Sequence, residues 1–202
     1  MIAVASQPPG LHTGAGRVIL ARHATPDWNR RDIPYDIPPG PELTAAGERE
    51  ALALGEFLRA QGATRVYHSP LERTLRTASL AASVCDAELI ESCAIAEWRR
   101  NEDEPTVLAR VLPLYERAAR ESAQLGPVVL VTHGGCVLAL LTHLGVANAE
   151  ISHYRGQFDH RNPLPPAGAW LATRRSQSQP WDLRLAFAPN AIQPYEPQLA
   201  FV

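Results

Sequence analysis

An arginine and a histidine stand side by side at Arg22 and His23, directly after the apolar run Val18-Ile19-Leu20-Ala21. A second apolar run, Val128 to Val131, leads to another histidine, His133, and then to Gly134 and Gly135. Between them lie Arg73, after the segment "TRVYHSP", and Glu97, within "IAEW". Arginine forks match the oxygens of a phosphoryl group. A histidine among them can act as a nucleophile, and a carboxylic acid at the rim can protonate a leaving oxygen. A helix opening on Gly134-Gly135 adds backbone N–H groups and the positive end of its dipole. These residue types suggest phosphoryl transfer onto histidine. Taken singly they do not require it, since Arg22 could pair with a carboxylate and His23 could be a satisfied loop histidine.

The elements that must position these side chains follow from the pattern. Both apolar runs read as buried strands. In a parallel sheet their carboxyl ends share one edge, so His23 and His133 would face one crevice. "LTAAGEREALALGEFLRAQG" reads as a helix capped by Thr44, with Ala51, Leu54, Phe57 and Leu58 as its apolar stripe and Gly62 as its stop. "TRVYHSP" is a short strand, and "LERTLRTASLAASVC" is a helix with Arg73 in its first turn. "AELIES" is another strand, followed by an irregular charged stretch from Glu97 to Glu104. Pro105 opens a helix running to about Gln124, which Pro113 is expected to kink or divide. "GGCVLALLTHLG" is a helix that stops at Gly145. "GAWLATRR" and "WDLRLAFA" read as a hairpin at the sheet edge. The expected fold is α/β, a mostly parallel central sheet flanked by helices on both faces, with a C-terminal edge hairpin and a small cap. Residues 1–16 read as a loosely ordered arm, 17–190 as one α/β domain and 191–202 as a tail.

Composition narrows the partners. The 202-residue chain has a formal net charge of −2, which gives no electrostatic case for nucleic acid or an anionic membrane. All 19 basic residues are arginine, so a phosphate-loop lysine is excluded. The apolar stretch "VVLVTHGGCVLALLTHLGV" is broken by His133, two glycines and His143, and no run is long enough to span a bilayer. "MIAVASQPPGLHTGAG" lacks the basic start of a secretory signal. Three cysteines, Cys85, Cys93 and Cys136, form no C-x-x-C pair and suit a reducing, cytoplasmic setting. The expected partner is a small phosphorylated substrate.

The same sequence holds residues suited to other chemistries. Cys93 and Arg99 have the C-x5-R spacing of cysteine phosphatases, but the stretch lacks the small residues that let N–H groups converge on an anion, and it holds Glu97. No H-x-x-x-H, H-E-x-x-H or Asp-rich cluster points to a metal, so no metal or other cofactor is expected. His12, His68, His143, His153 and His160 are scattered and read as surface or structural residues. Cys136 either has a lowered pKa at the helix start or packs its first turn. A binding module that recognises phosphate without turning it over is the rival from outside enzymology.

The motifs "RHATPDWN", "LTAAG", "SPLERTLRTA" and "VTHGG", in this order, resemble those of the histidine phosphatase superfamily, also called phosphoglycerate mutase-like. The resemblance covers about residues 17–190. It implies that His23 is the nucleophile that becomes phosphohistidine. It implies that Arg22, Arg73 and His133 hold the phosphoryl oxygens and that Asn29 adds a hydrogen bond, with Gly134 at the phosphate-binding helix start. Glu97 would be the proton donor and then the base for water, although Glu102, Asp103 and Glu104 lie close by. Against the family pattern, Ala24 replaces glycine, and Thr25 stands where an acidic residue is common. The stretch "EWRRNEDE" lacks a mutase-type Tyr-Gly segment, and the interval from Glu97 to His133 leaves little room for a cap. The resemblance therefore implies a metal-independent phosphomonoesterase with an open pocket, the alternative being a phosphoglycerate-mutase-type phosphotransferase. Arg30 and Arg31 either touch substrate or lie on a solvated loop. The expected activity is bell-shaped in pH, highest on the acidic side of neutral, and strongly inhibited by vanadate.

Overall fold

Alternation within the first strand decides the layering. In the computed structural model β1 (Gly16–Arg22) turns Val18 and Leu20 to one face of the sheet and Ile19 and Ala21 to the other, and all four are fully buried. A strand buried on both faces needs a helical layer on each side. The structure describes residues 16–158, 162–176 and 178–189, so most of the expected N-terminal arm, the tail, His12 and His160 lie outside the described residues. Gly16 itself belongs to β1 rather than to an arm.

The chain continues through α1 (Ala45–Gln61), β2 (Arg65–His68), α2 (Glu72–Cys85), β3 (Glu88–Glu91), α3 (Glu104–Leu125), β4 (Val128–Thr132), α4 (Gly134–His143), α5 (Asn148–Arg155), β5 (Ala169–Arg174) and β6 (Asp182–Phe187). The six strands lie in the order β3-β2-β4-β1-β5-β6. The first four pair in parallel, and β5 and β6 continue the sheet antiparallel to its edge, the expected C-terminal hairpin. Helices α1 and α2 cover the Ile19 face and α3 and α4 the Leu20 face, each over its own apolar cluster. Phe187 of β6 stacks on Phe57 of α1, which closes the edge hairpin onto the first layer.

Local chemistry sets the element ends. The Thr44 hydroxyl accepts the Gly47 N–H at the start of α1, and Gly62 ends that helix at φ 71°. Helix α3 runs as one helix through Pro113, which excludes the division, one of the two outcomes expected there. Pro113 is exposed, and Ala109, whose carbonyl loses its N–H partner, is exposed as well. Water can satisfy that carbonyl while Val107, Val111, Leu114, Tyr115 and Ala118 stay packed on the core. Helix α5 was not foreseen; it is short, and only Ile151 is buried. No inserted subdomain stands between β3 and α3. The Pro-rich loop 26–43 and residues 97–100 rise over the sheet edge instead. No helix among the described residues is long and apolar enough to cross a membrane.

Candidate active site

Parallel pairing brings the carboxyl ends of β1, β2 and β4 to one edge, and each delivers a polar side chain there. His23 follows β1, Ser69 follows β2 and His133 follows β4. His23 and His133 are buried, with ring centroids 5.3 Å apart. His23 Nδ1 lies 2.8 Å from the Ala24 carbonyl, to which only Nδ1–H can donate. That fixes the tautomer and leaves the Nε2 lone pair open, 3.4 Å from the Tyr35 hydroxyl. Burial, then the charges of Arg73 and Arg22, hold His23 well below its ordinary pKa. His23 is a neutral imidazole at neutral pH.

Arg73 comes from the first turn of α2 and is completely buried. It donates to the Tyr35 carbonyl at 2.7 Å and to Glu97 Oε2 at 3.0 Å, and its guanidinium lies under the Tyr35 ring at 3.9 Å. His133 Nδ1 is 3.1 Å from the same Glu97 oxygen, and its Nε2 is 2.9 Å from the Ser69 hydroxyl. The Trp98 N–H donates to the other Glu97 oxygen at 3.0 Å. Burial by itself would raise Glu97, but His133 and Arg73 outweigh it and hold the carboxyl well below its ordinary range. Burial also outweighs Glu97 at His133 and lowers its pKa.

These groups open on a cavity of about 430 Å³. Of the residues named from sequence, Arg22, His23, Glu97 and Gly134 line it. Arg73 and His133 sit behind Glu97. Asn29 does not reach the cavity: it is exposed on a turn, its N–H bound to Asp27, and its neighbour Trp28 lines the cavity in its place. Asn162, which no motif flagged, also lines it and covers the start of α4. A Cβ on Gly134 would lie 1.6 Å from Asn162 Oδ1, so glycine is required for that approach. Arg30 and Arg31 do not line the cavity, and Arg30 is paired with Asp32 and Glu42. The neighbouring acids have other work. Glu102 binds Arg110 and the Arg99 N–H, Asp103 caps α3, and Glu104 is exposed.

The short sequence motifs around His23 acquire physical reasons. Gly47 of "LTAAG" packs against Thr25, where a Cβ would stand 2.2 Å from the Thr25 carbonyl oxygen. Thr25 is also bound by Glu50 through its N–H and hydroxyl. The Thr77 hydroxyl accepts the Ala24 N–H at 2.9 Å, so α1 and α2 together pin the turn that carries His23. Ala24 is not among the residues with positive φ, which is why alanine stands there without strain. Ser69 is the residue that sequence reasoning missed although it opens "SPLERTLRTA". Its signal was a polar side chain at a buried strand end.

His23, Glu97 and His133 have ligand atoms within 4.8 Å of one another, the geometry of a three-ligand cation site, which no sequence spacing foretold. Two guanidinium groups and a helix start surround it, and Arg73 and His133 already engage Glu97. That electrostatic setting suits an anion. Cys136 is not an activated thiol: its Sγ–H donates to the Ala96 carbonyl, and burial pushes its pKa up to about 12. Cys93 is exposed, and neither it nor Arg99 lines the cavity.

Residues 18–104, a little under half of the chain, match the family model of the histidine phosphatase superfamily, branch 1. A 2,3-bisphosphoglycerate-dependent phosphoglycerate mutase of Corynebacterium diphtheriae is 38% identical over 92 residues, which are 43% of this chain and 35% of that protein. The match thus spans about a third of that relative's length. The mycobacterial glucosyl-3-phosphoglycerate phosphatase superposes with a TM-score of 0.65 at 19% identity, over 86% of this chain and 99% of that one. A phosphoglycerate mutase from Bacillus anthracis superposes at 0.67 with 13% identity, over 89% and 95%. At these identities the superpositions establish a shared fold.

Proposed function

We propose that this protein is a metal-independent phosphomonoester hydrolase that works through phosphohistidine on His23. The observation that carries the reading is the orientation of His23, a neutral imidazole whose Nδ1–H is tied to Ala24 and whose unprotonated Nε2 meets only the Tyr35 hydroxyl, at 3.4 Å, among the hydrogen bonds of the described residues. Nε2 attacks phosphorus in line with the ester oxygen. The P–N bond forms as the P–O bond breaks, and the leaving oxygen takes a proton from Glu97. Water then attacks the phosphohistidine as the Glu97 carboxylate takes its proton. The P–N electron pair returns to Nε2 and phosphate leaves. Arg22, Arg73, His133 and the Gly134 N–H stabilise the equatorial oxygens as charge spreads over them.

Glu97 is ionised in the empty site, yet it must donate a proton. The substrate itself supplies the change. A phosphoryl dianion draws the N–H groups of Arg73 and His133 away from Glu97 and brings negative charge beside it. Both effects raise a carboxyl pKa. Hydrolysis is favoured over phosphoryl storage because no subdomain inserted between β3 and α3 shields the cavity from water. The three free cysteines fit a cytoplasmic setting.

The test is phosphate release from p-nitrophenyl phosphate and natural esters with a chelator present, beside His23→Ala. Chelator-resistant release by the wild type alone supports the reading. Release that the chelator abolishes would assign the His23, Glu97 and His133 group to a metal. Transfer to a second alcohol in place of water would favour the mutase alternative. Vanadate, assayed without chelator, should inhibit strongly.

A further inference from the structure

We propose that the outer part of the cavity is a subsite for a heteroaromatic ring on the leaving group, so that preferred substrates are phosphomonoesters of nucleoside type; this rests on the hydrolase reading above. The cavity of about 430 Å³ is far larger than the phosphoryl group that Arg22, His23 and Gly134 surround. Its remaining wall includes Trp28, Tyr35, Asp36, Trp98 and Arg100.

Three planar groups stack outward from the clamp. The Arg73 guanidinium lies 3.9 Å from the Tyr35 centroid, and Tyr35 and Trp28 stack at 5.2 Å and 17°. Trp28 lines the cavity and is 37% exposed, unusual for so large an apolar side chain. A tryptophan held flat by a ring behind it, beside a concave polar site, is a ready stacking surface. Trp98 is also fixed: its indole N–H donates to the Glu102 carbonyl at 2.9 Å. The charged pair on this wall is different in kind from the loop charges nearby. Arg30 and Glu102 are both ion-paired, whereas neither Asp36 nor Arg100 is in an ion pair among the described residues.

Asp36 can accept N–H or O–H groups, and Arg100 can donate to ring nitrogens or carbonyls. An acceptor and a donor beside aromatic faces match a ring that carries both kinds of group. A short acidic leaving group such as glycerate fits less well. It could pair with Arg100, but it would also face the Asp36 carboxylate and leave the aromatic faces wet.

The decisive comparison is adenosine 5′-monophosphate against ribose 5-phosphate, which present the same primary phosphate ester with and without the base. We expect kcat/KM roughly tenfold higher for the nucleotide, the scale of one base–aromatic stack. Trp28→Ala should bring the ratio close to one, with circular dichroism confirming the fold. The same pair is titrated calorimetrically onto His23→Ala, where the nucleotide should bind roughly tenfold tighter. Ratios within about twofold in both assays would overturn the subsite. If no ester is hydrolysed, the hydrolase reading fails, and the binding comparison still decides the subsite.

Discussion

The Tyr35 hydroxyl lies 3.4 Å from Nε2 of His23, the atom proposed to carry the phosphoryl group. Tyr35 belongs to the Pro-rich loop, and its carbonyl accepts from Arg73 at 2.7 Å. One loop residue therefore touches both His23 and Arg73. Tyr35→Phe keeps the ring over Arg73 and removes only the hydroxyl. The expected loss in kcat is roughly two- to tenfold, the worth of one neutral hydrogen bond. Tyr35→Ala should cost more, because Arg73 loses its stacked ring. Equal losses from the two variants would show that the ring adds nothing, and an unchanged kcat in Tyr35→Phe would show that the hydroxyl does nothing.

Glu97→Gln keeps the shape of the side chain but cannot give up a proton as an acid. Turnover of alkyl phosphates should fall by about 10²- to 10⁴-fold, the usual contribution of a general acid. p-Nitrophenyl phosphate, whose leaving oxygen needs little protonation, should be affected less in its first step. Its phosphoenzyme should accumulate and be trapped by rapid quenching. A uniform loss across all esters, with no trapped intermediate, would assign Glu97 to holding Arg73 and nothing more.

Arg73→Lys tests the fork. A lysine keeps the charge but cannot reach the Tyr35 carbonyl and the Glu97 carboxylate from one planar group. The expected loss in kcat/KM is about 10²- to 10³-fold, comparable with removing one transition-state donor. Activity within a few-fold of the wild type would mean that the charge alone matters.

Acid should weaken the fold through the site. His23 is held well below 6.5, so between its folded value and 6.5 the unfolded chain binds a proton that the folded chain does not. His133, also lowered from 6.5, acts in the same direction. Glu97 is depressed from 4.5, so its contribution is present above that value and is lost as pH falls below it. Stability should therefore decline as pH falls from about 6.5, and further below about 4.5. Urea unfolding at pH 7, 6 and 5 should show a shallower decline for His23→Asn than for the wild type. Parallel declines would mean that His23 titrates normally in the folded chain.

Gly47→Ala is a stability test far from the chemistry. In an open helix, alanine in place of glycine would stabilise. Here the new Cβ meets the Thr25 carbonyl oxygen at 2.2 Å. The expected result is destabilisation by about 1–3 kcal/mol, as for overpacked sites. Because Thr25 sits two residues from His23, kcat should fall too. A rise in melting temperature would show that α1 can move away without cost.

Much of this site was legible in the chain. The apolar runs before His23 and His133 placed them at buried strand ends, because a short, β-branched-rich apolar run bounded by turn signals fits a strand buried on both faces. The Thr44 and Gly62 caps were equally readable, since their chemistry is local. Asn162 and Ser69 were not. Asn162 meets Gly134 only through the fold, and Ser69 matters because β2 lies beside β4, a fact of strand order. The expected place for Asn29 was wrong for a related reason. A turn held by Asp27 carries its neighbour Trp28, and not Asn29, into the cavity.

The sequence by itself determined the strand and helix identities apart from α5, and singled out His23, His133, Arg22, Arg73 and Glu97 as candidates. These follow from periodicity and residue chemistry, which act over a few neighbouring positions. Tertiary structure decided which acid faces the cavity, why Glu97 is ionised, and what walls surround the clamp. Glu97 differs from Glu102 only in what lies across from it: Arg73 and His133 in one case, Arg110 in the other. Proton affinity is set by burial and by charges a few ångströms away, and those distances exist only once the sheet order has brought distant segments together.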